Sequence, residues 1–230
     1  MPRPFANLLR GFPLALLLSV SLGGCGENRP EGAPREPGNP LLRPAQFQET
    51  APPRFSVRFD TSEGTFVVSV HREWAPVGAD RFYNLVKAGY FEDLRIYRVV
   101  SGFMAQFGVH GDPFVNYVWR RALILDDPVL QSNVRGRVTF AKAGPNSRAH
   151  EVFISTGDNP GLDAQGFAPF GEVIEGMEVV DAFHSSYGDG PPRGEGPYAA
   201  MAHARGNEYL DADFPGLTQI LRATLLAETD

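Results

Sequence analysis

Apolar and polar residues alternate at Phe55, Val57 and Phe59, and again at Phe66, Val68 and Val70. A period of two predicts half-buried strands, and Thr61-Ser62-Glu63-Gly64 between the runs supplies a hairpin turn. The period then lengthens. Glu73-Trp74-Ala75-Pro76 opens a helix with Pro near its first turn, Phe82, Leu85 and Val86 fall on one face, and Gly89 stops it. Further strands are predicted at 95–100, 137–141, 151–155 and 170–174, and a short helix at 176–184. A Gly- and Pro-rich stretch, 186–213, follows. Leu217, Ile220, Leu221 and Leu225 then stand at i, i+3, i+4 and i+8, the spacing of an amphipathic helix. That stripe must bury against the main domain or a partner. Short strands with two separated helices suggest a closed antiparallel barrel with helical caps.

The N-terminus reads differently. Arg3 and Arg10 flank an apolar run at 12–20 that is too short to span a bilayer. Leu22-Gly23-Gly24-Cys25 resembles the bacterial lipoprotein signal. The resemblance implies cleavage before Cys25, lipidation of its thiol and a membrane anchor in the bacterial cell envelope. With several acyl chains, such an anchor is stable. Gly26 in place of an acidic residue leans toward the outer membrane or the cell surface. Residues 25–53, rich in Pro, Gly and charge, read as the lipidated Cys and a partly extended spacer, with Leu41, Leu42 and Phe47 left undocked.

Composition narrows the function classes. The 230 residues are 43% hydrophobic, enough for a core, and the 25 Gly and 20 Pro favour short strands and many turns. Cys25 is the only cysteine, which excludes a disulfide framework and a Cys-based zinc finger. Cleavage before it would remove two arginines and no acids, leaving 19 basic residues against 27 acidic. An acidic domain argues against nucleic acid as a partner.

Between 98 and 177 the sequence becomes specific. Arg98-Val99-Val100-Ser101-Gly102-Phe103-Met104-Ala105-Gln106 resembles the cyclophilin signature. Phe140-Ala141-Lys142-Ala143-Gly144-Pro145-Asn146-Ser147, Phe153-Ile154, Leu162-Asp163, Phe170-Gly171-Glu172-Val173 and Glu175-Gly176-Met177 resemble later family stretches, in family order. The likeness covers about residues 54–185; 186–230 has no counterpart in the minimal domain and reads as an extension of loop and helix. The resemblance implies a mainly β fold, a closed eight-stranded antiparallel barrel capped by two α-helices. It implies peptidyl-prolyl cis/trans isomerase activity on proline-containing unfolded or partly folded polypeptides, a monomer, and neither metal nor cofactor.

That chemistry needs little. The barrier to X–Pro rotation is amide resonance, about 18–20 kcal/mol. As the bond twists, the prolyl nitrogen gains a lone pair, and a donor aimed there favours the transition state over either ground state. A guanidinium, always charged and rigidly forked, suits the task. The resemblance assigns that role to Arg98. It makes Phe103, Met104, Phe153 and Leu162 the proline slot and Gln106 a substrate-binding residue that orients the arginine. Ala141, Lys142 and Ala143 would lie along the groove, with Lys142 as a solvated rim charge.

The chain departs from the family at several positions. Ile96 and Tyr97 stand where Phe-His is common, and read as barrel substitutions. Glu151 replaces a Gln near the catalytic arginine, where a carboxylate could pair with Arg98 and hold it or draw it away. Gly161 stands where many members carry an aromatic, which implies weak binding of cyclosporin-type ligands. Gly166-Phe167-Ala168-Pro169 is one residue longer than the family loop and offers Phe167 as a pocket wall. The stretch from Gly111 to Pro128 is also shorter than in larger members.

Other chemistries find less support. His110, Asp112 and His150 lack a tight ligand spacing, and Ser147 near His150 lacks a nucleophile elbow. The remaining competitor is a peptide-binding or chaperone module whose turnover is blunted by Glu151.

Overall fold

The computed structural model describes residues 38–226; the expected signal segment and Cys25 lie outside them. The elements are β1 (Arg54–Thr61), β2 (Gly64–His71), α1 (Pro76–Lys87), β3 (Leu94–Arg95), β4 (Arg98–Val100), β5 (Met104–Phe107) and α2 (Pro113–Trp119). They continue with β6 (Arg137–Phe140), β7 (Val152–Ser155), β8 (Pro169–Glu175), α3 (Met177–Asp181), α4 (Ala199–Arg205), α5 (Asn207–Asp213) and β9 (Gln219–Leu225). Both halves of the expected hairpin form. Thr61 pairs with Gly64 across the turn, and Gly64 has φ +136°, a conformation that disfavours residues with a side chain.

The expected eight-stranded closed barrel is instead a curled sheet of nine strands, ordered β3-β9-β1-β2-β8-β6-β7-β5-β4. Its two terminal strands, β3 and β4, are successive pieces of chain separated only by Ile96 and Tyr97. The covalent chain, not a ladder, therefore links the ends. Phe59 and Phe66 stack inside at 4.8 Å, and Phe82 from α1 meets Phe170 at 4.9 Å. Val180 of α3 and nearby Phe183 join the same core.

The start of α1 is capped from a distance. Ala75 offers no side-chain cap, and the Asp127 carboxylate accepts from the backbone of Val77 at 3.0 Å and Gly78 at 2.8 Å. Two orphan helix donors are thereby satisfied by a loop fifty residues on. The helix ends as expected at Gly89, φ +69°, with Tyr90 N–H returning to the Leu85 carbonyl.

Two expectations are corrected here. The C-terminal amphipathic helix is a strand: β9 adds to the free edge of β1 and supplies the only ladder partner of β3. A register shift against β1 pairs Asp60 with Arg222 and Thr61 with Ile220, skipping Leu221, so Ile220 and Ala223 are both buried and Leu221 is about half exposed at 51%. The helical stretches of this region are α4 and α5, upstream. The spacer is also shorter than read. Leu41 is buried, its carbonyl accepts from the Trp119 indole N–H at 2.8 Å, and Phe47 stacks on the same indole. Asn84 of α1 then exchanges two hydrogen bonds with the backbone of Glu49. These contacts dock a segment whose prolines had suggested an undocked spacer.

The strand assignment predicts an asymmetry that a helix would not. Ile220→Ala should cost about 2–5 kcal/mol, as for other fully buried large-to-small changes. Leu221→Ser should stay within about 0.5 kcal/mol, as for exposed positions. Urea unfolding of both variants checks this, and equal losses would restore a helical stripe.

Candidate active site

Strand alternation sorts β4, β5 and β7 into two faces. Val99, Ala105, Phe107, Val152 and Ile154 point into the core. Register pairs Arg98 with Gln106 and Gln106 with Phe153, so these side chains form one row on the opposite face. Met104, two residues from Gln106, shares it. Over this row fold the segments carrying residues 141–143 and 162–167. The result is a cavity of about 220 Å³ lined by Arg98, Phe103, Met104, Gln106, Phe153 and Leu162, with Ala141, Lys142 and Phe167 completing the wall. Phe167 meets Phe153 edge-on at 5.9 Å. Nine of the eleven expected catalytic and substrate-binding residues thus gather around one small, largely apolar space. The other two, Ala143 and Glu151, line an adjoining cavity of about 340 Å³.

Arg98 is held at three points. Its Nη1 donates to Gln106 Oε1 at 2.9 Å, and its Nε and Nη2 donate to the two oxygens of Asp189 at 2.7 and 3.1 Å. Paired in this bidentate way, the guanidinium holds the Asp189 carboxyl below the usual range. Of its five donors, three go to oxygen and Nη1 also reaches Met104 Sδ at 4.0 Å, which leaves one N–H, on Nη2, of a residue that lines the cavity.

Glu151 is not the partner of Arg98. Its Oε2 accepts from Tyr97 Oη and from Gln106 Nε2 at 2.8 Å, and its Oε1 lies 2.9 Å from His203 Nε2. Burial pushes its carboxyl up, but His203, His150 and Tyr97 outweigh that and hold it at about 2. The physical reason for the correction lies in Gln106. Arg98 only donates, so it takes the amide oxygen, and the amide NH₂ is left facing the carboxylate. Gln106 stands between the two charges and keeps them apart.

Other expectations also change. Tyr97 is not merely a barrel substitution: it donates to Glu151 and accepts from Gln106 Nε2 at 2.7 Å. Lys142 is not a solvated rim charge. Its side chain is 8% exposed, and its Nζ donates to Asp126 at 3.0 Å and lies 5.6 Å from the Phe167 ring centre. Ser147 is spent inside its own loop, donating to the Gly144 carbonyl and accepting from the amides of Ala143 and Gly144. His110 accepts from Asp112 N–H, and Asp112 caps α2.

Asp189 and His203 were not legible in the sequence. Asp189 lies in a Gly- and Pro-rich stretch with no periodicity, and His203 is an isolated histidine on α4. They reach the site because Tyr97 and Val109 share a second apolar cluster with Ala202, Tyr209, Leu210 and Leu217. That packing seats the C-terminal segment beside β4.

Comparison with known proteins gives the family and the fold. Residues 56–199 match the family described as "Cyclophilin type peptidyl-prolyl cis-trans isomerase/CLD". The "Peptidyl-prolyl cis-trans isomerase-like 1" of Rhizopus delemar is 30% identical over 138 residues, spanning 55% of this chain and 78% of the fungal one. The human "Peptidyl-prolyl cis-trans isomerase-like 3" is 33% identical over 132 residues, spanning 55% of this chain and 80% of its own. A crystal structure of a Cryptosporidium parvum cyclophilin-type isomerase superposes with a TM-score of 0.56 at 19% identity, covering 76% of this chain and 99% of that one. A second structure, of that protein in the presence of the dipeptide Ala-Pro, gives 0.54 at 19% identity, covering 75% and 99%. With its matched residues spanning more than half its length, the chain belongs to the cyclophilin-type family of peptidyl-prolyl cis-trans isomerases.

Proposed function

We propose that Arg98 accelerates X–Pro rotation by donating a hydrogen bond to the prolyl nitrogen, with the ring of the substrate proline seated in the cavity of about 220 Å³. The supporting observation is the three-point hold on Arg98 by oxygen acceptors beside that cavity, which leaves one N–H unspent and a second only on the weak acceptor Met104 Sδ. An orientation fixed before substrate arrives costs nothing at the moment of reaction. The proline ring fits an apolar floor of Met104 and Phe153 with Phe103, Leu162 and Phe167 around it. A related isomerase has been crystallised in the presence of Ala-Pro, and a prolyl peptide is the ligand this cavity suits.

The competing reading, a peptide-capturing module of low turnover, moves from Glu151 to Asp189. Asp189 faces the guanidinium with both oxygens, and a carboxylate there draws on the charge that the transition state would use. Two outcomes separate the readings. If Asp189 positions the arginine, its removal slows the reaction; if it restrains the arginine, its removal speeds it.

We further propose that the clients are extracytoplasmic polypeptides and that the chain is tethered in a bacterial envelope through lipidated Cys25. Support for this comes from the run ending Leu22-Gly23-Gly24-Cys25 and the spacer after it.

Three measurements test these readings. In an X–Pro peptide assay on the full chain in detergent, Arg98→Ala should lower kcat/KM roughly tenfold to a hundredfold, the loss of one charge-assisted hydrogen bond. Unchanged catalysis in a folded variant would remove Arg98 from the mechanism. Asp189→Ala should lower kcat/KM roughly tenfold, about 1.4 kcal/mol, by releasing the guanidinium; a rise would favour the capture module. In a bacterial host, Cys25→Ser should move the protein from the membrane fraction to the soluble fraction, and retention in the membrane would sink the lipid anchor.

A further inference from the structure

Beside the proline cavity, the larger cavity of about 340 Å³ is walled on one side by His150, Glu151 and His203. Two come from the entry to β7 and one from α4. One donor atom from each lies within 4.8 Å of the others. His203 Nε2 is 2.9 Å from Glu151 Oε1, and the two imidazole rings are 5.6 Å apart, nearly perpendicular.

The atoms behind these three define which lone pairs face inward. His150 Nδ1 lies 2.8 Å from the Gly108 carbonyl oxygen, which only accepts, so Nδ1 carries the proton and Nε2 keeps the lone pair. Tyr90 Oη donates to that same carbonyl at 2.9 Å and sits 3.0 Å from the ring nitrogen. A histidine whose far N–H is tied to a backbone carbonyl is the usual form of an oriented metal ligand. Glu151 is oriented in the same manner: Tyr97 and Gln106 occupy Oε2, and Oε1 is left to His203. His203 Nδ1 is buried without a partner, so among the described residues Glu151 alone fixes that ring by hydrogen bonding.

We propose that His150, Glu151 and His203 bind a divalent transition metal of the Zn²⁺ class, with the remaining coordination position open to the cavity. Two borderline imidazole donors beside one hard carboxylate suit Zn²⁺, Co²⁺ or Ni²⁺ over Mg²⁺ or Ca²⁺. The ion takes the place of the proton shared between His203 and Glu151, so Oε2 keeps its bonds to Tyr97 and Gln106. Ligand bonds of about 2.0–2.1 Å put donor atoms roughly 3.3 Å apart in a tetrahedral site. The widest donor separation, up to 4.8 Å, must close by about 1.5 Å, while His203 Nε2 and Glu151 Oε1, at 2.9 Å, open slightly. The sequence groups His150 with His110 and Asp112, without a tight ligand spacing, and does not suggest His203, which is more than fifty residues from His150 and joins it only through the packing of α4.

The test is metal titration of the untagged full chain in detergent. Zn²⁺ followed by calorimetry should bind at one equivalent, and Co²⁺ should give the visible bands of a four- or five-coordinate ion. His203→Ala should weaken binding at least about a hundredfold, whereas His110→Ala should leave it unchanged. Since His203→Ala removes a buried ion-pair partner, imidazole NMR signals of the wild type provide a second readout: those of His150 and His203 should shift with one equivalent of Zn²⁺. Absence of binding by the wild type, one-equivalent binding that survives in folded His203→Ala, or unmoved His150 and His203 signals would each overturn the site. None of these readouts depends on isomerase activity.

Discussion

The carboxamide of Gln106 lies between a guanidinium that can only donate and a carboxylate that can only accept. Its two ends are therefore not interchangeable, and the amide has one orientation. From that follow the positions of two charges. Arg98 is drawn to one side, where Asp189 completes its hold, and Glu151 is drawn to the other, where Tyr97 and His203 complete its own. Remove the amide and the charges would face each other across the row. Each buried charge has a partner, which keeps such a network from destabilising its own fold.

The sequence showed much of the fold where one period acted alone. Phe55, Val57 and Phe59 alternate without ambiguity, and α1 is marked at both ends by Pro76 and Gly89. It misled at β9, where Leu217, Ile220, Leu221 and Leu225 satisfy a helical stripe although only some of those positions are used. Ile220 pairs with Thr61 and Leu94 on neighbouring strands, and this tertiary pairing overrides the local period. Leu221 faces out at the register shift, where the ladder with β1 passes from Ile220 to Arg222. The docked segment around Leu41 was hidden for a related reason: what holds it is the indole of Trp119, a residue far along the chain.

At the site the division is similar. Arg98, Gln106 and the cavity walls stand in family stretches and were readable from them. Their partners were not. Whether Glu151 meets Arg98 depends on what lies between them, and spacing along the chain says nothing of that. Asp189 and His203 carry no pattern because each contributes a single side chain from a segment whose remaining residues serve packing around Tyr97. Lys142 was read as a rim charge since lysines usually are; Asp126 and the face of Phe167 make it part of the wall.

The two ends of the sheet, β3 and β4, are two residues apart, and among the described residues the one ladder partner of β3 is β9, the last strand in chain order. This has a consequence for the order in which the protein is made. A growing chain that has reached the middle of β8 already holds every wall of the proline cavity. It does not yet hold Asp189, His203 or β9, so Arg98 lacks its bidentate partner and the strand before it lacks its ladder. The walls of the cavity are therefore made before the residues that fix Arg98, and closure of the sheet waits for β9.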